Sequence, residues 1–422
     1  MLTALLVVLG TSLAWLSRST RQAATADQPR RSIVVLPFQS LSEATKGDYF
    51  ADGLTDDLTT SLAMHPELFI IARDSAFVYK GQTVADADLV AKLKVRYVLR
   101  GSVRQDGSNV RINARLIDTE TGGHEWAEQF EGDSAHLLDL EHVITQRIIT
   151  ALLQRIVPAG HERELVWRTT NPQAYDAFLA GRQHFYTYLN KQENEKARAL
   201  FEQALHHDPK FAMAHAMLAW TYAFDAMNGW SANRAASLAT ALKIGQQAVA
   251  LNKNMPLAHF VTGLAYREQT EYVKALAEAE KAIALDPNYA NGQVLVATLL
   301  YYAGRPEDSI APLKKAIRLN PHHPFHYLFH LGQACYVLHR YEDAIKAFRD
   351  GISRNPSAER LRVWLAAALA QAGKIEDAQW EANEVRALNP NFNLAAIAEA
   401  FPFKYKVDAD HLMDGLRKAG FS

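Results

Sequence analysis

The sequence predicts two folded bodies of different class: a small α/β sandwich, then an all-α solenoid of helix pairs, with a short transmembrane helix at the amino terminus. Three observations predict this. From Lys253 onward a pattern of small, apolar and closing residues recurs at intervals of 34, 34, 35 and 34 residues. Between Ser32 and Pro158, short β-branched runs alternate with amphipathic stretches. Residues Met1 to Leu16, MLTALLVVLGTSLAWL, carry no charged side chain.

At 422 residues the chain is long enough for two or more domains, each with its own core. With 49% hydrophobic and 22% charged residues it is globular in composition. A net charge of −1 removes the global basic excess that nucleic-acid binding would favour. The single cysteine, Cys335, excludes an intramolecular disulfide and a thiolate-only metal site. One cysteine suits the cytosol, and equally a periplasmic protein that does without disulfides.

The first sixteen residues would span about 24 Å as a helix, slightly short of the roughly 30 Å hydrocarbon core. They read as a transmembrane anchor or as a signal segment, the latter favoured by Ala24-Thr25-Ala26 and disfavoured by the lack of a basic residue ahead of the apolar run. Arg18, Arg21, Arg30 and Arg31 follow it, an asymmetry that by itself favours a cytoplasmic body. Residues 17–31 have no periodicity and read as a linker.

The α/β domain is expected over residues 32–158. Ile33 to Leu36 is a strand stopped by Pro37, and Phe50, Leu54, Leu58 and Leu62 mark an amphipathic helix. Leu68 to Ala72 is a second strand, Ala85 to Leu93 a second helix, and Tyr97 to Leu99 a third strand. In Gly101 to Asp118, Asp106-Gly107 between two alternating runs signals a hairpin. A last strand follows Gly122-Gly123, and Asp139 to Ile156 forms a closing helix. The strings SIVVLPFQSLS, DYFADGLTDDLTTSL, FIIARDSAFVYKG, RYVLRGSVR and LIDTETGGHEW resemble the TolB-like amino-terminal domain of bacterial envelope and signalling proteins. The resemblance implies that such a domain follows a membrane helix and precedes helical repeats. In longer relatives a class III adenylate/guanylate cyclase or a winged-helix DNA-binding domain precedes it, so the chain resembles the carboxyl-terminal half of such proteins. It also implies a bacterial inner-membrane, single-pass protein with a periplasmic body.

No catalytic residue is expected in this domain. Asp52, Asp56 and Asp57 read as surface acids matched to a helix dipole. Arg73-Asp74-Ser75 and Lys80-Gly81 are placed in a loop and are weak anion-site candidates. Trp126 reads as a core or interface aromatic.

The helix pairs occupy residues 171–400, about six units. Gly263, Tyr266, Ala275, Ala279, Ala282 and Pro287 stand at the spacings that Ala297, Leu300, Ser309, Leu313, Ala316 and Pro321 repeat. Closing positions fall at Pro209, Lys253, Pro287, Pro321, Pro356 and Pro390. The period and these residues are similar to those of tetratricopeptide (TPR) repeats, which implies a superhelix with a groove for a protein or peptide partner. The interval of 44 between Pro209 and Lys253 holds about ten extra residues, assigned to a loop around Met227 to Ala236 that includes Trp230. His326 and His330, spaced i, i+4, share one helix face. They read as groove-facing or partly buried histidines rather than metal ligands, and groove-facing imidazoles would make partner binding pH-dependent. Residues 401–422 resemble a segment that caps such a solenoid, with Gly420 as the helix stop.

No GxSxG, HExxH or Walker-type loop is present. The expected function is a non-enzymatic, membrane-tethered interaction scaffold or sensor without cofactor or metal, its partner contacts at Trp230, His326 and His330. The alternative is the regulatory half of an adenylate/guanylate cyclase lacking its catalytic domain.

Overall fold

The computed structural model describes residues 31–41, 45–133, 137–157, 169–187, 190–394, 397 and 403–421. The anchor-or-signal segment and the linker expected over residues 1–31 lie outside these, except for Arg31. Among the described residues no helix is long and apolar enough to cross a membrane. Two compact units divide the chain, Met1–Glu164 and Leu165–Ser422.

The first unit is built on one mixed sheet. Its strands are β1 (Ser32–Val35), β2 (Gln39–Ser40), β3 (Phe69–Ile70), β4 (Tyr97–Asp106), β5 (Asn109–Asp118) and β6 (His124–Asp133), in the order β3-β1-β4-β5-β6, with β2 also on β4. β1 is parallel to β3 and β4, whereas β4, β5 and β6 form an antiparallel meander. All four residues of β1 are buried, as expected of a strand covered on both faces. The hairpin turn is Gly107-Ser108, and Gly107 at φ +58 supplies the left-handed conformation it needs. Helices α1 (Thr45–Ala63) and α4 (Leu137–Ile156) pack together, bringing Leu54, Leu58, Leu62, Ile148 and Leu152 to zero exposure. Val34 and Val98 join a second core cluster with Ala76, Leu89 and Leu93 of α2 (Arg73–Phe77) and α3 (Asp86–Leu93). Trp126 is buried opposite Leu116 in the meander, a core aromatic.

Two expectations for this unit are corrected. Arg73 to Ser75 is not loop but the start of α2, a helix too short to leave a periodic signal. Asp56 and Asp57 are not surface acids: they are 4% and 9% exposed. Arg73 Nε donates to Asp56 at 2.6 Å and Lys80 Nζ to Asp52 at 2.6 Å, so these cations already hold carboxylates of the same unit. This removes the case for an anion site.

Among the described residues the second unit holds six helix pairs. They are α5 (Pro172–Thr187) with α6 (Lys191–His207), α7 (Ala212–Met227) with α8 (Arg234–Leu251), and α9 (Pro256–Glu268) with α10 (Tyr272–Leu285). Then come α11 (Ala290–Tyr302) with α12 (Pro306–Leu319), α13 (Phe325–Val337) with α14 (Tyr341–Arg354), α15 (Glu359–Gln371) with α16 (Ile375–Leu388), and a final α17 (Lys406–Lys418). Each closing residue, Lys253 included, stands two positions beyond the second helix of its pair. The Asp or Asn between them terminates the helix directly: the side chains of Asp208, Asn252, Asp286, Asn355 and Asn389 accept from the amide two residues on, at 2.7–3.2 Å. Within pairs, helices meet closely at small residues. A Cβ on Gly263 would lie 3.1 Å from the Ala275 carbonyl, and one on Gly332 would lie 2.3 Å from the Phe348 ring.

The ten-residue excess in the second pair is not a loop insertion. α7 and α8 have 16 and 18 residues where α9 and α10 have 13 and 14, so most of the excess lengthens the helices, and the rest enlarges the turn at 228–233.

Candidate functional site

Successive first helices, α7, α9, α11, α13 and α15, pack directly on one another, while among the described residues the second helices have no contact of that extent. The first helices therefore form the shorter, inner face of the array. Side chains of neighbouring first helices meet along this face, as Tyr301 of α11 does with Gln333 and His330 of α13, and form a strip.

That strip is aromatic and polar rather than aliphatic. Arg267, in the last turn of α9, pairs with Glu268 at 2.7 Å. Tyr301 and Tyr302, at the end of α11, have ring centroids 4.3 Å apart. The Tyr301 hydroxyl donates to Gln333 Oε1 at 2.8 Å, and His330 Nδ1 lies 3.1 Å from the same oxygen. The Gln333 amide nitrogen is buried with no partner among the described residues. His323 stacks on Tyr327 at 5.3 Å, and the Tyr327 hydroxyl donates to Asn291 at 2.7 Å, tying α13 to α11.

His326 and His330 are half-buried on α13, their rings 6.3 Å apart. Burial, reinforced by the Arg267 and His323 charges, lowers the His326 pKa to about 4. Burial, with His326 and then Arg267, lowers that of His330 to about 3. Both shifts favour the neutral imidazole, which argues against pH-dependent binding through these two histidines. Among the described residues no group of three His, Cys, Asp or Glu side chains is placed to hold a metal ion. Cys335 is buried in the same helix, and burial raises its thiol pKa to about 11. It is a packing residue.

Trp230 belongs to the enlarged turn of the second pair, not to the histidine strip. Its ring meets Phe224 at 5.6 Å and its amide donates to the Asp225 carbonyl at 2.9 Å. Sequence reasoning missed the aromatic run beside it: Phe185, Trp220, Phe260 and Tyr289 meet in turn at 5.1, 5.3 and 5.1 Å, crossing from α5 to the start of α11. The signal was present as one aromatic per first helix, but packing aromatics of the same helices masked it.

The carboxyl-terminal segment also lies on this face. The Lys404 amide donates to the Tyr302 carbonyl at 3.1 Å. Phe403 meets Tyr302 and Trp364 at ring distances of 6.1 and 6.2 Å. α17 then packs on α15.

Comparison with known proteins places repeats in the second unit. The family model described as Tetratricopeptide repeat matches residues 227–290 and 331–391. A model described as Anaphase-promoting complex, cyclosome, subunit 3 matches residues 268–351. A Rhizobium meliloti (strain 1021) protein named "Putative adenylate cyclase 3" is 36% identical over 251 residues, which is 60% of this chain and 42% of that protein. The chain thus spans well under half the length of this curated relative. Among solved structures, a thermophilic TPR protein of Thermus thermophilus is 22% identical with a TM-score of 0.37, covering 46% of this chain and 98% of that one. The APC/C hetero-tetramer Cut9-Hcn1 is 16% identical with a TM-score of 0.48, covering 68% and 50%. YrrB, a TPR protein with an unusual peptide-binding site, is 18% identical with a TM-score of 0.36, covering 47% and 97%.

Proposed function

On the premise that the array consists of tetratricopeptide repeats, we propose that this chain is a non-enzymatic scaffold whose inner face holds a protein or peptide partner. The strip from Arg267 through Tyr302 to His326 and His330 carries this reading. It offers flat aromatic surface and neutral hydrogen-bonding imidazoles on rigid helices, the composition that favours protein contacts. His326 and His330 are assigned to the partner's footprint. Trp230 is assigned to a separate contact at the second pair. The first unit is read as a TolB-like domain that either binds a second partner or couples the array to a membrane through the amino-terminal segment. The resemblance supports an inner-membrane protein with a periplasmic body, and the net charge of −1 argues against nucleic-acid partners. Capture of bacterial proteins by the full chain tests the groove reading. Arg360→Glu, at an exposed position of α15 whose charge reaches Tyr302, is expected to reduce the captured partner at least tenfold. Val273→Glu on α10, 86% exposed, is expected to leave it unchanged. Equal capture by both variants would contradict the reading.

The second reading, the regulatory half of a nucleotide cyclase, is favoured by the name of the Rhizobium meliloti relative. It assigns the same scaffold to a longer signalling protein. No cyclic nucleotide synthesis is expected from this purified chain; detectable synthesis would refute that.

A further inference from the structure

The end of the chain does not sit where a stacking helix would. In the array each first helix packs on the second helix of the preceding pair: α9 on α8, α11 on α10, α13 on α12, α15 on α14. α17 packs principally on α15, an inner helix, while its end is held to α16 by Arg386 Nη2, which donates to the Gly420 carbonyl at 2.6 Å.

The segment crosses the last turns of three inner helices. At α11, Lys404 pairs with the Tyr302 carbonyl, and Tyr405 covers Gly304 so closely that a Cβ there would lie 2.1 Å from the Tyr405 ring. At α13, the Tyr336 hydroxyl donates to the His411 carbonyl at 3.0 Å. At α15, the Gln371 amide donates to the same carbonyl at 3.2 Å and to Asp414 at 3.0 Å. Leu412 and Leu416 are 2% and 0% exposed, the apolar edge of the helix. Gly415 is the crossing point: a Cβ there would stand 2.7 Å from the Tyr336 oxygen and 3.0 Å from the Ala367 carbonyl. Aromatic anchors, an amphipathic helix and a small residue at closest approach are the features of a helix bound in a groove.

We propose that Phe403–Phe421 is a detachable ligand of the chain's own inner face, and that this face takes segments of the same chemistry: two aromatics followed by an amphipathic helix with a small residue at the crossing. This deepens the groove reading and rests on it. An outside partner then competes with the tail, so the apparent affinity of the closed chain is reduced by the fraction of molecules whose tail is off.

The probe is a fluorescent synthetic peptide of residues 403–421, titrated into the full chain and followed by anisotropy. Gly415→Leu in the chain, with Gly415 kept in the peptide, displaces the tail without touching the groove. The variant is expected to bind the peptide at least tenfold more tightly than the wild type. Absence of binding to a variant with an unchanged circular dichroism spectrum, or equal binding by both, overturns the proposal. Should Gly415→Leu not fold, hydrogen exchange on the wild-type chain decides: residues 404–418 are expected to exchange faster than α13 and α15, and exchange of all three at one rate overturns it. Loss of partner capture with peptide binding intact would sink the outside-partner reading and leave this assignment standing. The converse sinks this assignment alone.

Discussion

The Tyr336 hydroxyl donates to the main-chain carbonyl of His411, 75 residues further along the chain and 3.0 Å away. It ties the inner face of α13 to the helix that lies across it. Around it, Tyr341 Oη stands 2.7 Å from His339 Nδ1 and 3.1 Å from His411 Nε2. Burial raises the Tyr336 pKa, so it remains a neutral donor. Tyr336→Phe removes the donor while keeping the ring. The expected loss is about 1 kcal/mol, read as faster exchange of residues 404–418 with the rest of the array unchanged.

Close helix approach at Gly332 is the second point of test. The Phe348 ring occupies the space that any side chain at Gly332 would need, and Phe348 itself has no exposed surface. Gly332→Leu is expected to destabilise the array by about 3 kcal/mol or more, seen as a lowered denaturant midpoint at unchanged net charge. A midpoint within error of the wild type would show that the paired helices are not held at the observed separation.

Thr270 closes the α9–α10 turn at φ +64, where the corresponding positions of other pairs carry Gly304 and Gly373. A β-branched residue is strained there. Thr270→Gly is expected to raise the melting temperature, by an amount equivalent to about 0.5–1 kcal/mol.

Asp286 gives a pH dependence of defined sign. Burial raises its pKa from 3.8 to about 7, against the lowering effect of the Asn288 amide, Lys315 and the Tyr289 amide. The folded chain therefore holds this proton more tightly than the unfolded chain. The associated stability is fully present below about pH 4 and is lost as pH rises through about 7, each unit of the shift costing about 1.4 kcal/mol. Asp286→Asn keeps the acceptor for the Asn288 amide and removes the titration. Melting curves at pH 5 and pH 8 are expected to differ less in the variant than in the wild type. An equal difference would remove Asp286 as the cause.

Much of this architecture was legible because it is local and repeated. The spacing of Gly263, Ala275 and Pro287 against Ala297, Ser309 and Pro321 located two helix pairs, and Asp106-Gly107 located the hairpin. What was not legible depends on partners distant in sequence. Asp56 reads as a surface acid until Arg73, 17 residues on, is seen to cover it. The ten-residue excess near Trp230 reads as a loop because helix lengthening and loop insertion have the same length in sequence. α17 carries the amphipathic pattern of a cap, and nothing in that pattern says whether its apolar edge meets α16 or turns inward onto α15. His326 and His330 were located correctly on one helix face, but their protonation follows from burial, which a single sequence does not show.

The claim that the inner face is the binding surface is tested most directly by site-specific photo-cross-linking in the native host. A benzophenone side chain is placed at Arg360 on the inner helix α15 and, separately, at Val273 on the outer helix α10. Cross-linking of one discrete partner from position 360 and none from position 273 is the expected result. A partner trapped from position 273 alone would contradict it.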